Sequence, residues 1–289
     1  MTTTRFDPAE FKQTQRTNWN AISSGWARCE EAFETGGAPV TARLLELGGV
    51  RAGQRVLDVG TGIGEPAISA ANLVGQAGHV TGIDLAPAMI AHARQRAASA
   101  RNVEFAVCDV ESMDFPAASF DVVLSRWGLM FAVDHVRAFR ALANVLVPGG
   151  VLAAAVWAAP GTAPMMSLGF QVLSKRLDLP PAPPGAPSPF SMAEPDAVAG
   201  ELSAAGFEDV EVTSFDAPFV LGSAEDYVAF NKVVTPPGLK NMLGERFGSV
   251  HDPETWAEVG RAVEPHRAKD GTISLPSKAL LLRATTPSG

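Results

Sequence analysis

The sequence predicts an α/β protein built on a doubly wound, mostly parallel sheet, and three observations carry that prediction. Short apolar runs alternate with Ala-rich helical stretches between Val56 and Val156, the order that builds a parallel sheet covered on both faces. A glycine loop, Gly60-Thr61-Gly62-Ile63-Gly64, joins the first run to the stretch after it. Asp58, Asp84 and Asp109 stand at the ends of successive runs, where open α/β sheets hold their ligands.

Each element has its own signal. From Ala38 to Val50 apolar residues recur at helical spacing and Gly48-Gly49 closes the run, so a helix precedes the first strand. Val56 to Val59 is a short buried strand, and Glu65 to Val74 is helical beyond the glycine loop. Val80 to Ile83 is the second strand, followed by a helix from Pro87 to Ala100 whose proline sits in the first turn, where a missing N–H costs nothing. Val103 to Val107, Phe120 to Ser125 and Val151 to Val156 are the next strands, with a helix from His135 to Leu146 before the last of them.

Beyond Trp157 the pattern changes. Pro180 to Pro189 holds six of the chain's 22 prolines, which excludes helix or inner strand and predicts a stiff loop. Asp196 to Ala205 is helical, and Val210 to Phe215 and Ala279 to Ala284 bring the strands to seven. The segment between those two strands is far longer than a hairpin loop. It contains helical stretches from Ala224 to Val234 and from Pro253 to His266, interrupted at Pro236-Pro237-Gly238, and is expected to be an inserted helical lid. Phe219, Phe230, Phe247 and Trp256 either line the lid's inner wall or anchor its helices.

Composition narrows the function. A formal net charge of −8 with 19% charged residues is a poor match to a nucleic-acid polyanion. Cys29 and Cys108 are the only cysteines, too few for a disulfide framework. The polar stretch Met1 to Lys12 has no apolar export core, so a cytoplasmic protein is expected. The apolar runs are far shorter than the roughly 20 residues of a membrane span. Five histidines and two cysteines show no paired ligand spacing, so no metal is expected.

The glycine loop distinguishes between nucleotides. In the dinucleotide fingerprint the third glycine follows the second by three residues; here it follows by two, and Glu65 stands where a small residue is expected. A carboxylate there would repel a pyrophosphate, which disfavours a nicotinamide-dependent oxidoreductase.

VLDVGTGIGEPA from Val56 to Ala67 resembles the first motif of class I S-adenosylmethionine-dependent methyltransferases. GIDLAPAMI from Gly82 to Ile90 is similar to the next motif, Asp109-Val110 in CDVESMDFP to the third, and Pro116 to Phe131 and Val145 to Gly150 complete the likeness. The resemblance runs from Leu44 to Trp157 and lies nearest the ubiquinone and menaquinone C-methyltransferase-like branch. It implies a Rossmann-like core and S-adenosylmethionine as cofactor.

By that resemblance Asp58 meets the cofactor's amino group, Gly60, Thr61 and Gly62 give close backbone, and Asp84 holds the ribose hydroxyls. Leu85 and Met89 flank the adenine, Asp109 and Val110 bind its edge, and Ser125 and Arg126 line the methyl-transfer cleft. Thr17 to Trp26 is similar to an N-terminal family helix, with Trp26 against the cofactor. An aspartate at a strand end also caps helices and turns, and a buried tryptophan also serves as plain core.

The expected partition is 1–37 as an N-terminal helical cover, 38–221 as the cofactor-binding core, 222–271 as the lid and 272–289 as the final strand and tail. Methyl transfer to carbon or oxygen of a small-molecule acceptor is the expected reaction, by a monomer or homodimer. Alignment of the reactants carries much of such a displacement, and His135 is the candidate general base if the acceptor must lose a proton. The rival readings are a non-catalytic S-adenosylmethionine-binding protein and the oxidoreductase already disfavoured.

Overall fold

The computed structural model describes residues 6–183 and 185–289. Residues 1–5 of the expected N-terminal cover, and Pro184 of the proline-rich loop, lie outside them. The described chain divides into two compact units, one of residues 40–159, 187–215 and 278–289, the other of residues 6–39, 160–186 and 216–277.

The first unit is built on the sheet. Its strands are β1 (Arg55–Val59), β2 (His79–Asp84), β3 (Val103–Val107), β4 (Phe120–Arg126) and β5 (Leu146–Trp157). β6 (Glu208–Leu221) and β7 (Ile273–Thr285) begin in one unit and end in the other. The seven strands lie in the order β3-β2-β1-β4-β5-β7-β6. β1 pairs in parallel with β2 and β4, β2 with β3, and β4 with β5, while β7 runs antiparallel to β5 with Leu282 opposite Ala154. The order reverses at β1 and β4, the switch point where such sheets open a crevice beyond their carboxyl ends. The expected α/β class, seven strands and Rossmann-like winding are all present.

Near-continuous apolar strands are what a sheet buried on both faces requires. Val56, Leu57, Val122, Val123 and Leu124 have at most trace exposure. The helices of this unit are α3 (Ala67–Val74), α4 (Pro87–Arg96), α5 (His135–Val145) and α7 (Pro195–Ala204). α5 turns Ala138, Phe139, Leu142 and Val145 inward, the i, i+1, i+4, i+7 stripe of an amphipathic helix.

The second unit holds α1 (Pro8–Arg28), the first part of α2 (Glu30–Leu47), α6 (Pro164–Leu177), α8 (Ala224–Val234), α9 (Pro237–Phe247) and α10 (Pro253–Val263). Asp7 starts α1 by accepting the N–H groups of Ala9 and Glu10. Two elements differ from the expected order. α6 occupies residues to which the sequence analysis assigned no element, and α9 begins at the proline pair read as a break. Proline is at home there, at the first helical position. Residues 38–39, 160–186, 216–221 and 272–277 group with the N-terminal helices and residues 222–271, whereas the expected partition assigned them to the core and its final strand.

Candidate active site

The site is built on the ends of β1, β2 and β4. β1 delivers Asp58, which has no exposure to solvent. Its Oδ2 accepts the N–H of Ala67, the first residue of α3, at 3.1 Å, while its Oδ1 has no hydrogen-bond partner. Burial pushes the carboxyl's pKa up to about 7, opposed by the Thr61 hydroxyl, the Ala67 N–H and the Arg126 charge, and reinforced by the Glu65 charge. Buried polar atoms are nearly always paired, so an unspent carboxylate oxygen in this position marks a place for a donor, best a cationic one. Thr61 Oγ1, also buried, makes no hydrogen bond of good geometry, although its hydroxyl lies close enough to act on the Asp58 carboxyl.

The glycine loop follows at once. Both the Gly60 and Thr61 N–H groups donate to the Ile83 carbonyl at 2.9 Å, fastening the loop to the end of β2. Gly60 and Gly62 have φ of +69° and +54°, the left-handed region open to glycine at little cost. A Cβ at Gly60 would lie 2.8 Å from the Gly128 Cα, whereas one at Gly62 would meet nothing within 4 Å. Close backbone packing thus fixes the first glycine, and open space adjoins the second. Beside the loop, Glu65 Oε2 accepts the Ser69 N–H at 3.3 Å, and Oε1 lies 4.0 Å from Arg96 Nη2.

At the end of β2, Asp84 Oδ2 accepts the Gly62 N–H at 3.0 Å and Oδ1 accepts the Ala86 N–H at 2.8 Å. Burial raises its pKa and the two N–H donors act against the rise. Each oxygen keeps a second lone pair, enough to accept two hydroxyls. Leu85 is half-buried, and Met89, 2% exposed, is part of the core. Asp109 caps the 3-10 turn Val110–Ser112, with Oδ1 accepting the Glu111 N–H at 3.0 Å.

β4 contributes differently. Ser125 Oγ is buried and donates to the Val59 carbonyl at 2.8 Å, so its hydroxyl ties β4 to β1. Arg126 donates from Nη1 to Thr41 Oγ1 at 2.8 Å. Trp127, at φ +59°, stacks on Trp157 with ring centroids 4.4 Å apart. His135 opens α5, and its Nδ1 lies 3.1 Å from Glu201 Oε2 on α7. Trp26 belongs to the other unit, where its ring packs against Trp19, Phe33 and Phe230. In that unit Phe219, Phe230 and Trp256 are buried, and Phe247 lies beneath the Arg176 guanidinium at 4.6 Å.

One residue escaped the sequence analysis. Glu111, 7% exposed, accepts the N–H of Val133 on Oε2 and of Asp134 on Oε1, both at 3.1 Å. Nothing in ESMDFP distinguishes this glutamate from a solvated one, because its partners are backbone groups 22 and 23 residues away. Among the described residues no group of three or more His, Cys, Asp or Glu gathers as a metal site, and no helix is long and apolar enough to cross a membrane.

Residues 56–150 match a family model described as a methyltransferase domain. Aklanonic acid methyltransferase DauC of Streptomyces sp. (strain C5) is 37% identical over 147 residues, covering 50% of this chain and 66% of that protein. The ubiquinone/menaquinone biosynthesis C-methyltransferase UbiE of Pseudomonas putida is 37% identical over 133 residues, 45% of this chain and 52% of the relative. The matches thus span between half and two thirds of these curated relatives. Among solved structures, the [4+2]-cyclase SpnF shares the fold with a TM-score of 0.54 at 21% identity, covering 87% of this chain and 81% of that one. With the sheet order, the glycine loop and the strand-end carboxylates, these matches identify the chain as carrying a class I, S-adenosylmethionine-dependent methyltransferase domain.

Proposed function

We propose that the protein transfers a methyl group from S-adenosylmethionine to carbon or oxygen of a small-molecule acceptor. The observation that carries this reading is the buried Asp58 carboxylate, whose Oδ1 has no partner beside a glycine loop. The donor set suits the cofactor, which is cationic at its amino group and sulfur and has no phosphate for Glu65 to repel. When bound, it supplies an electrophilic methyl on a good leaving group.

The chain's own residues bind and orient. Asp58 Oδ1 receives the ammonium, and Thr61 Oγ1 offers a second polar contact. Gly60 and Gly62 let the backbone come close. Asp84 takes the ribose hydroxyls on its remaining lone pairs, with Leu85 alongside the base, and Asp109 and Val110 face the adenine edge. Ser125 and Arg126 act through the hydrogen bonds already described, Arg126 also by placing its charge near Asp58. Met89 supports the pocket from the core. Trp26 is left out of the contact set, because the aromatic cluster of its own unit accounts for its ring. His135 is left as an element of packing between α5 and α7.

The curated relatives are named for aklanonic acid and for ubiquinone and menaquinone, which supports a small organic acceptor rather than a macromolecule. A cytoplasmic monomer or homodimer fits this reading. Since one fold hosts several chemistries, and a neighbour in fold is named a cyclase, the test must follow the methyl group itself. Methyl-labelled S-adenosylmethionine is incubated with the protein and a panel of phenolic, quinol and β-keto compounds. The expected result is labelled product and stoichiometric S-adenosylhomocysteine. Tight cofactor binding with no transfer to any panel member would favour the non-catalytic reading.

A further inference from the structure

Glu111 does something no expectation assigned to it. Its carboxylate is buried and bidentate toward the Val133 and Asp134 N–H groups, while its own N–H donates to Asp109 Oδ1 and its carbonyl accepts from Arg137 Nε at 3.0 Å. The turn that carries Asp109 and Val110 is thereby fastened at two points to the loop between β4 and α5 and at a third to α5 itself. That loop runs from Trp127 to Asp134 and includes the left-handed Trp127 and the 3-10 turn Leu129–Phe131. Charge-assisted bonds to backbone N–H groups are among the stronger ones, and their cost when broken in a buried site is high.

We propose that Glu111 is a positioning residue that couples the occupied adenine subsite to the loop following β4, so that cofactor binding orders the loop at Val133 and Asp134. The inference rests on the assignment of Asp109 and Val110 to the adenine. If the base steadies their turn, Glu111 moves less, and the two amides it holds open less often. Coupling of this kind is reciprocal: whatever factor the ligand adds to loop closure, closure adds to ligand affinity.

The test uses the full chain, S-adenosylhomocysteine as ligand, and amide exchange of Val133 and Asp134 followed by NMR, with calorimetry for affinity. In the wild type, saturating ligand should slow exchange at both amides by about fivefold or more. In Glu111→Gln, which keeps the shape but only one acceptor oxygen, that increment should fall below about twofold and affinity should weaken by the factor lost. A purely structural glutamate would raise exchange equally with and without ligand, leaving the increment intact, and that result overturns the proposal. So does wild-type binding with no change at these amides, which needs no variant to fold. If the wild type binds no ligand at all, the cofactor reading itself falls, and the inference with it.

Discussion

At the ends of β1 and β2, buried or half-buried polar atoms keep hydrogen-bonding capacity unspent, whereas among the described residues of the helical unit the buried side-chain polar atoms have hydrogen-bond partners. Asp58 Oδ1 and Thr61 Oγ1 make no hydrogen bond of good geometry. In the helical unit the buried Tyr227 hydroxyl accepts the Gly169 N–H at 3.0 Å and lies 3.3 Å from the Met165 carbonyl. Asn231 Nδ2 donates to the Tyr227 carbonyl at 2.9 Å, and the Thr235 hydroxyl to the Asn231 carbonyl at 2.6 Å. Arg176 engages Asp252 and Thr255 together. An unpaired buried group costs stability, so the unspent atoms beside the glycine loop are where the proposed function places the ligand, while the helical unit uses its polar groups to pack helices.

The largest expected effect breaks the first region. Gly62→Val forces a branched side chain into a left-handed backbone and into the open space beside the loop. S-adenosylmethionine binding should be lost by calorimetry while circular dichroism still reports a folded protein. A folded variant that binds normally would remove the glycine loop from the site.

The second substitution breaks the other region and sharpens the contrast. A Cβ at Gly169 would overlap the Asn231 side-chain amide, so Gly169→Ala must displace Asn231. Thermal unfolding should show a loss of about 1–3 kcal/mol. Cofactor affinity of the folded fraction should be unchanged, and a loss of affinity that matched the loss of stability would erase the distinction between the regions.

The next effect is one of pH. Asp58 titrates near 7 in the unliganded protein, mainly because burial disfavours its charged form. Its folded value lies above the unfolded one, so its own contribution to stability declines as pH rises from about 4 to about 7. A cationic ligand selects the ionised carboxylate, so affinity runs the other way. It should increase about tenfold from pH 6 to pH 8, or about 1.4 kcal/mol. Affinity that stays flat across this range would separate Asp58 from the ligand's charge.

The smallest effect concerns His135. Its pair with Glu201 is partly exposed, the side chains retaining 15% and 34% of their accessible surface, and exposed pairs contribute about 1 kcal/mol or less. His135→Gln should therefore lower the melting temperature slightly and leave methyl transfer within about threefold. A hundredfold loss of transfer, on the scale of removing a general base, would restore the imidazole to the chemistry.

The two regions also differ in how far the sequence discloses them. The inner parallel strands β1, β2, β4 and β5 were legible because burial on both faces leaves near-continuous apolar runs, β3 at the half-exposed sheet edge because it continues the alternation of strand and helix, and the aspartates because each stands at or close to the end of a strand. α6 was not, since its buried face includes Ser167 and Gly169. Gly169 is small because Asn231 packs so close to it, and two small residues on the buried face weaken the apolar periodicity that announces a helix. α9 was hidden by Pro236-Pro237, which punctuates a sequence whether it breaks a helix or begins one. The bonds of Ser125, Arg126 and Glu111 join residues 22 to 85 positions apart, and no local pattern encodes such distances.

The most direct test of the account is a calorimetric titration of wild type and Asp58→Asn with S-adenosylmethionine at pH 7, each in two buffers of different ionisation heat. The wild type should bind one equivalent and release about half a proton, as expected of a carboxyl titrating near 7 that becomes fully ionised in the complex. Asp58→Asn should bind at least about tenfold more weakly, the scale of a lost hydrogen bond to a charged group, and show no buffer-dependent heat. Equal affinity and equal proton release in the two proteins would contradict the account.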